Sequence, residues 1–234
     1  MRIISPSIQL DTDSCSETAE GLHYPAALTV FARNRFISNL LPQIDAATSL
    51  RRVVSTFVGG LEGQVNIDDF QGWKVKLMQL RPHAASITTL SLEAHYQKYP
   101  NVSFIHNFPG VVKGGVARGT GFLETLSKAF QIFGRLLYMD TEEAGDRHLL
   151  LATSARYPAG ETDNASGIAL DKDTTLALGT DGKAGSGVYS VDTYGDGVDA
   201  NKVLAGLRKA GMIEQVMSKI DSGIKEALAA DLKG

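Results

Sequence analysis

The chain has 234 residues, 43 % of them hydrophobic and 21 % charged, with a formal net charge of −3. That length and apolar content allow a single domain with a sizeable core, and the mild acidity gives no electrostatic reason to bind nucleic acid or an anionic membrane. One cysteine, Cys15, excludes an internal disulfide and suits a reducing, cytoplasmic setting, and no apolar run reaches the roughly eighteen residues that a membrane span needs.

Taken in chain order, residues 2–5 (RIIS) read as a strand stub ended by Pro6, followed by a polar stretch without a secretory-signal pattern. Residues 24–41 read as a helix with two apolar stripes, Leu28, Phe31 and Phe36 on one, Val30, Ile37 and Leu41 on the other. Two apolar faces imply burial on both sides. The β-branched run RRVVSTFVGG reads as a buried strand ended by a glycine pair. After a loop holding Trp73, Pro82 suits the first turn of a helix over 83–97, with Ile87, Leu90 and Ala94 three and four apart. NVSFIHNF is the next strand, closed by Pro109-Gly110. Strands separated by crossover-length helices predict a parallel sheet of α/β type.

Two helical stretches follow, FLETLSKAFQIFGRLLY and EEAGDRHLLLATSARY. Residues 158–187, rich in Gly, Asp, Thr and Ser, read as an irregular excursion, GVYSVDTY as a late strand, and 200–232 as a helical tail punctuated by Gly211. No linker divides residues 1–234 into two domains. The triplets at Asn101 and Asn164 match the glycosylation pattern by chance in such a setting.

Two glycine runs invite a nucleotide reading. In GDGVDA, Asp196 and Asp199 would set carboxylates beside a pyrophosphate, and the twelfth position from Asp192 is Val203 rather than the Glu of a calcium loop; it reads as a turn with Asp199 as helix N-cap. Gly115, Gly119 and Gly121, beside Lys113 and Arg118, come too late after Pro109 for a tight strand-to-helix turn. They read as a flexible loop, with an anion contact through Lys113 and Arg118 as the other reading.

The stretches ETAEGLHYPAALTVFARNRFISNLLPQI, RRVVSTFVGG, AASITTLSLEAHYQKYPNVSFIHNFPGVV and HLLLATSARYP resemble the short-chain dehydrogenase/reductase (SDR) superfamily. More narrowly, the chain is similar to a fungal SDR-like branch associated with secondary metabolism. The resemblance covers roughly residues 1–210 and implies a Rossmann-like parallel sheet flanked by helices. It aligns residues 2–5 with the family's fourth strand, so only the C-terminal half of that fold is expected here, with the glycine-rich NAD(P) turn preceding Met1. It implies a homodimer through helices 24–41 and 83–97, and it makes Pro109 and Gly110 the vestigial ledge for the nicotinamide.

SDR enzymes use a Tyr with a Lys four residues on. Here Tyr24, Tyr96, Tyr99, Tyr138, Tyr157, Tyr189 and Tyr194 are followed by Leu28, Pro100, Ser103, Glu142, Glu161, Thr193 and Val198, and alignment puts the pair near Leu80 and Ala84. The usual redox parts are missing, although Ser55 or Thr56 keeps a hydroxyl at the family's Ser position. No cofactor is therefore expected, and NAD(P) enters only if the other half of the site is supplied.

Among the other polar residues, His83 reads as a general base or as a polar residue near a helix start, and His106 and Asn107 sit at the carboxyl end of a parallel strand, where α/β sheets bind ligands. No metal-ligand spacing or Ser-His-Asp arrangement stands out. The expected function is a cofactor-independent isomerase, cyclase or lyase acting on a small, mostly apolar metabolite through Ser55, Thr56, His83, His106 and Asn107. The alternatives are a fragment of an NAD(P)-dependent oxidoreductase and a non-catalytic partner subunit.

Overall fold

The computed structural model describes residues 17–112, 139–160 and 167–231. The expected strand at 2–5, Cys15, Lys113, Arg118, the helical stretch at 122–138 and Asn164 lie outside them.

Helix α1 (Tyr24–Ala26) opens with Pro25, where the missing N–H costs nothing. It runs through a π-helical segment, Ala27–Ala32, into α2 (Arg33–Asp45). Strand β1 (Arg52–Thr56), helix α3 (Leu77–Lys98) and strand β2 (Ser103–Asn107) follow. Then come α4 (Thr141–Thr153), β3 (Val188–Val191), α5 (Asn201–Lys209) and α6 (Met212–Asp231). The strands form a parallel sheet ordered β1-β2-β3, pairing Ser55 with His106 and His106 with Ser190. This is the α/β parallel sheet flanked by helices that the sequence implies.

Period-two alternation divides the core between the two faces of the sheet. Phe104 and Val188 join Ile37, Leu41 and Leu92 on the α2–α3 side. Ile105, Tyr189 and Val191 join Leu151 and Tyr157 on the α4 side. A third cluster lies outside the sheet, where Ile213, Val216 and Ile220 of α6 and Leu204 of α5 meet Val30, Phe31, Ile87 and Leu90.

Four details differ from the sequence reading. The second stripe of the first helix is buried as expected, but Phe36 is 47 % exposed, because the π segment shifts the helical phase between Phe31 and Phe36. That helix also continues past Leu41 to Asp45. Helix α3 starts at Leu77, not at residue 83, so Pro82 lies inside it. The ring is tolerated because the turn it interrupts faces solvent, with Met78 91 % exposed. The N-cap of α5 is Ala200 rather than Asp199, and no side chain caps it.

Candidate functional site

The carboxyl ends of the strands carry two separate polar groups, one on each face. Toward α2 and α3 stand Ser55, His106 and Ser190, in register across the sheet. The segment after β1 folds back over them. Val58 N–H donates to His106 Nε2 at 3.2 Å, Gly60 N–H to Ser190 Oγ at 2.7 Å, and Phe57 N–H to the Asn107 carbonyl. Gly59 is required there, since a Cβ would collide with the His106 carbonyl and lie 2.9 Å from that of Val191. The glycine pair thus lets the backbone lie directly on the ends of β2 and β3, closing the crevice on this face.

These bonds also fix where the protons sit. Because His106 Nε2 accepts, Nδ1 carries the hydrogen and donates to Thr89 Oγ1 at 2.8 Å. The Thr89 hydroxyl donates to Glu62 Oε1 at 2.7 Å, and Ser190 Oγ does so at 2.5 Å. Burial favours the protonated form of Glu62, but the His106 ring and the Ser190 and Thr89 hydroxyls outweigh it and hold the carboxyl well below the usual range. Burial takes His106 down, so it stays neutral. Beside them the Arg33 guanidinium, 3 % exposed, donates to Ser55 Oγ at 2.6 Å and to the carbonyls of Thr56 and Thr29. Burial lowers it to about 10, which leaves it charged at neutral pH. Ser55 and His106 are therefore held in a closed layer that ties the post-β1 segment to the sheet.

His83 has a comparable task. Its Nε2–H donates to the Phe70 carbonyl at 3.0 Å and Nδ1 accepts from Asn66 N–H at 3.2 Å, so both nitrogens hold the loop before α3. Burial depresses it, and the Phe70 bond and the Asp69 charge only partly offset that.

The opposite face differs. Thr56 and its register partner Asn107 point toward α4, an orientation set by the alternation that sends Ser55 and His106 the other way. Asp140 caps the start of α4 by accepting from Thr141 N–H at 2.7 Å, and Glu142 and Glu143 favour the same end. Two turns on, His148 Nδ1 donates to the Ala144 carbonyl at 2.7 Å, which leaves Nε2 as acceptor for the Thr56 hydroxyl at 3.2 Å. A hydroxyl on an imidazole whose far nitrogen is fixed by a third group is the geometry of an activated proton-transfer pair. His148 is half-buried, whereas His23, His83, His95 and His106 are buried. Beside the pair, Asn107 is 2 % exposed and its Oδ1 has no hydrogen-bond partner among the described residues. Such an orphan acceptor suits a ligand hydroxyl.

Pro109 and Gly110 follow directly. Gly110 has φ +77°, and a Cβ there would lie 2.7 Å from Thr193 Cγ2 and 3.4 Å from Met139 Cε, so this chain already fills the space above it. Nearby, Arg147 donates to the Thr193 carbonyl and stacks on Tyr194. His148 is the residue that sequence reasoning missed. Its partner Thr56 is 92 positions away, and spacing along the chain carries no sign of the contact.

No family model matches the chain, and neither does any solved structure. Several curated relatives do. Oxidoreductase AN1596 of Emericella nidulans is 33 % identical over 218 residues, covering 91 % of this chain and 65 % of the relative. The NmrA-like family domain-containing oxidoreductase notO of an Aspergillus species is 31 % identical, over 86 % of this chain and 56 % of the relative. Short-chain dehydrogenase/reductase SAT2 of Stachybotrys chartarum is 27 % identical, over 76 % and 52 %. The chain spans roughly half to two thirds of the length of these relatives.

Proposed function

The chain belongs to an SDR-like branch of fungal proteins, and on that premise we propose that it acts on a small, largely apolar carbonyl compound by proton transfer at Thr56 and His148, without an NAD(P) of its own. The observation that carries this reading is the hydrogen-bonded Thr56–His148 pair, anchored at the far nitrogen by Ala144.

We read the described residues as unsuited to the NAD(P) that the family implies. On the α2–α3 face the segment at Val58–Gly60 covers the strand ends, and Gly110 is packed against Thr193 and Met139 rather than left open as a ledge. No step is therefore routed through it.

In the proposed step His148 Nε2 takes a proton from the carbon beside the substrate carbonyl. The electron pair of that C–H bond forms the C=C bond of an enolate, and the Thr56 hydroxyl turns to hydrogen-bond its oxygen. The imidazolium returns the same proton at another carbon of the conjugated system, so a double bond moves and no electrons are gained or lost. The Asn107 acceptor orients a substrate hydroxyl. The test is isomerisation of an unconjugated cyclohexenone to the conjugated one, followed by ultraviolet absorption. Catalysis that falls about 100-fold in His148→Gln supports the reading, and equal rates in the two proteins overturn it.

A second reading is favoured by the names the relatives carry, oxidoreductase and short-chain dehydrogenase/reductase. In it NAD(P) would supply a hydride, and the same pair would move the proton that accompanies its transfer.

A further inference from the structure

A cavity of about 400 Å³ lies between the loop after β1 and the start of α3, away from the Thr56–His148 pair. Gln64, Asn66, Lys74, Lys76, Gln79 and His83 supply its polar lining. The charges in that lining have one sign, since both charged residues are lysines, and both are exposed.

The Asp69 carboxylate and the His83 imidazole beside the cavity are already hydrogen-bonded within the protein. Asp69 turns its carboxylate to the N–H groups of Trp73 and Lys74 at 3.0 and 2.7 Å, and Asn66 Oδ1 accepts from Asp68 and Asp69. His83 uses both ring nitrogens within the protein and contributes a neutral floor. Neither lysine ammonium has a carboxylate within ion-pair distance among the described residues. The adjoining α3 starts with Lys76 as N-cap, with no capping side chain and no acid in its first turn. A helix start ordinarily favours negative charge. Here two cations and the helix end bring positive charge to the rim of a concavity of ligand size, with the one nearby carboxylate that acts on its His83 floor, Asp69, turned to the N–H groups of Trp73 and Lys74.

We propose that this cavity binds a small organic anion carrying a phosphate or carboxylate group, with Lys74 and Lys76 as its charge partners and the amides of Gln64 and Gln79 as donors. The anion is a ligand distinct from the uncharged compound proposed for Thr56 and His148, and the two readings stand or fall separately.

The experiment titrates inorganic phosphate and, separately, succinate into the full chain, following backbone amide shifts by NMR. Saturable shifts at Lys74 to Gln79 with either probe support the site, and the stronger probe identifies the head group. Lys74→Ala with Lys76→Ala alters two exposed side chains and should leave the thermal midpoint in place while weakening binding at least about tenfold. Absence of saturable shifts with both probes overturns the proposal, as does binding that the double substitution leaves unchanged. Lys74→Arg with Lys76→Arg keeps the charge and should restore most of the affinity. If it does not, charge is not the basis of binding and the proposal fails.

Discussion

At His148 the imidazole is the one half-buried ring among the protein's five histidines, the others being buried. A histidine-directed acylating reagent such as diethylpyrocarbonate should therefore modify His148 first, and Thr56→Val should speed that reaction by freeing Nε2 from its hydroxyl partner. Peptide mapping checks this, and equal modification of several histidines would contradict the described burial. The buried ionisable groups give the stability curve its shape on acidification. His95, stacked on Phe104 and bonded to Asn34, is brought down to about 4, first by burial and then by the Lys98 charge. Between pH 6.5 and about 4 the unfolded chain then binds a proton that the folded chain refuses, so stability falls as pH drops through that window, by about 3 kcal/mol in all. Glu62 acts at lower pH. Its folded carboxyl is depressed, so its contribution is full above the unfolded value near 4.3 and is lost as pH falls further. Urea unfolding at a series of pH values should show both limbs, with His95→Gln reducing the upper one, to which the depressed His83 and His106 also contribute, and Glu62→Gln reducing the lower.

At the scale of elements, the segment after β1 and the helix α4 make the clearest contrast. Gly59→Ala drives a methyl group into the backbone of His106 and should destabilise by about 3 kcal/mol or more. Gly145→Ala, in mid-α4 with open space around it, should stabilise by about 0.5–1 kcal/mol and leave His148 in place. Chemical denaturation of both variants checks the pair. The same elements show how far sequence reading extends. The glycine pair and Pro109-Gly110 marked strand ends because turn chemistry is local, and β1, β2 and β3 followed from β-branched and aromatic runs. The π segment did not show, because an extra residue in one helical turn leaves no mark on composition. Nor did the closed layer show. Glu62, Thr89, His106 and Ser190 come together from 17 to 128 positions apart, through the strand register, the packing of α3 on the sheet and the fold-back of the segment after β1. Ser55, His106 and His83 were read as reactive because polar residues at strand ends and helix starts look alike whether they face a ligand or a loop. Their hydrogen bonds, invisible in the sequence, tie Ser55 to Arg33, His106 to Val58 and Thr89, and His83 to the loop before α3.

At the scale of the molecule, α6 lies across the outer side of α3, with Phe31 seated where Gly223 leaves room. Residues 85–95 of α3 are buried within the single chain. A homodimer through helices 24–41 and 83–97 is thus a proposal that depends on α2, where Phe36 and Leu40 are exposed one turn apart. Sedimentation equilibrium should show a dimer that Phe36→Glu with Leu40→Glu dissociates, and a monomer at high micromolar concentration would dismiss it. The more consequential question for the whole chain is whether its chemistry uses a hydride carrier. Parallel calorimetric titration of NADH and NADPH into the purified chain answers it most directly. Proton transfer at Thr56 and His148 without a cofactor predicts no saturable binding of either, while micromolar binding of one of them would contradict it and make the chain an NAD(P)-dependent oxidoreductase.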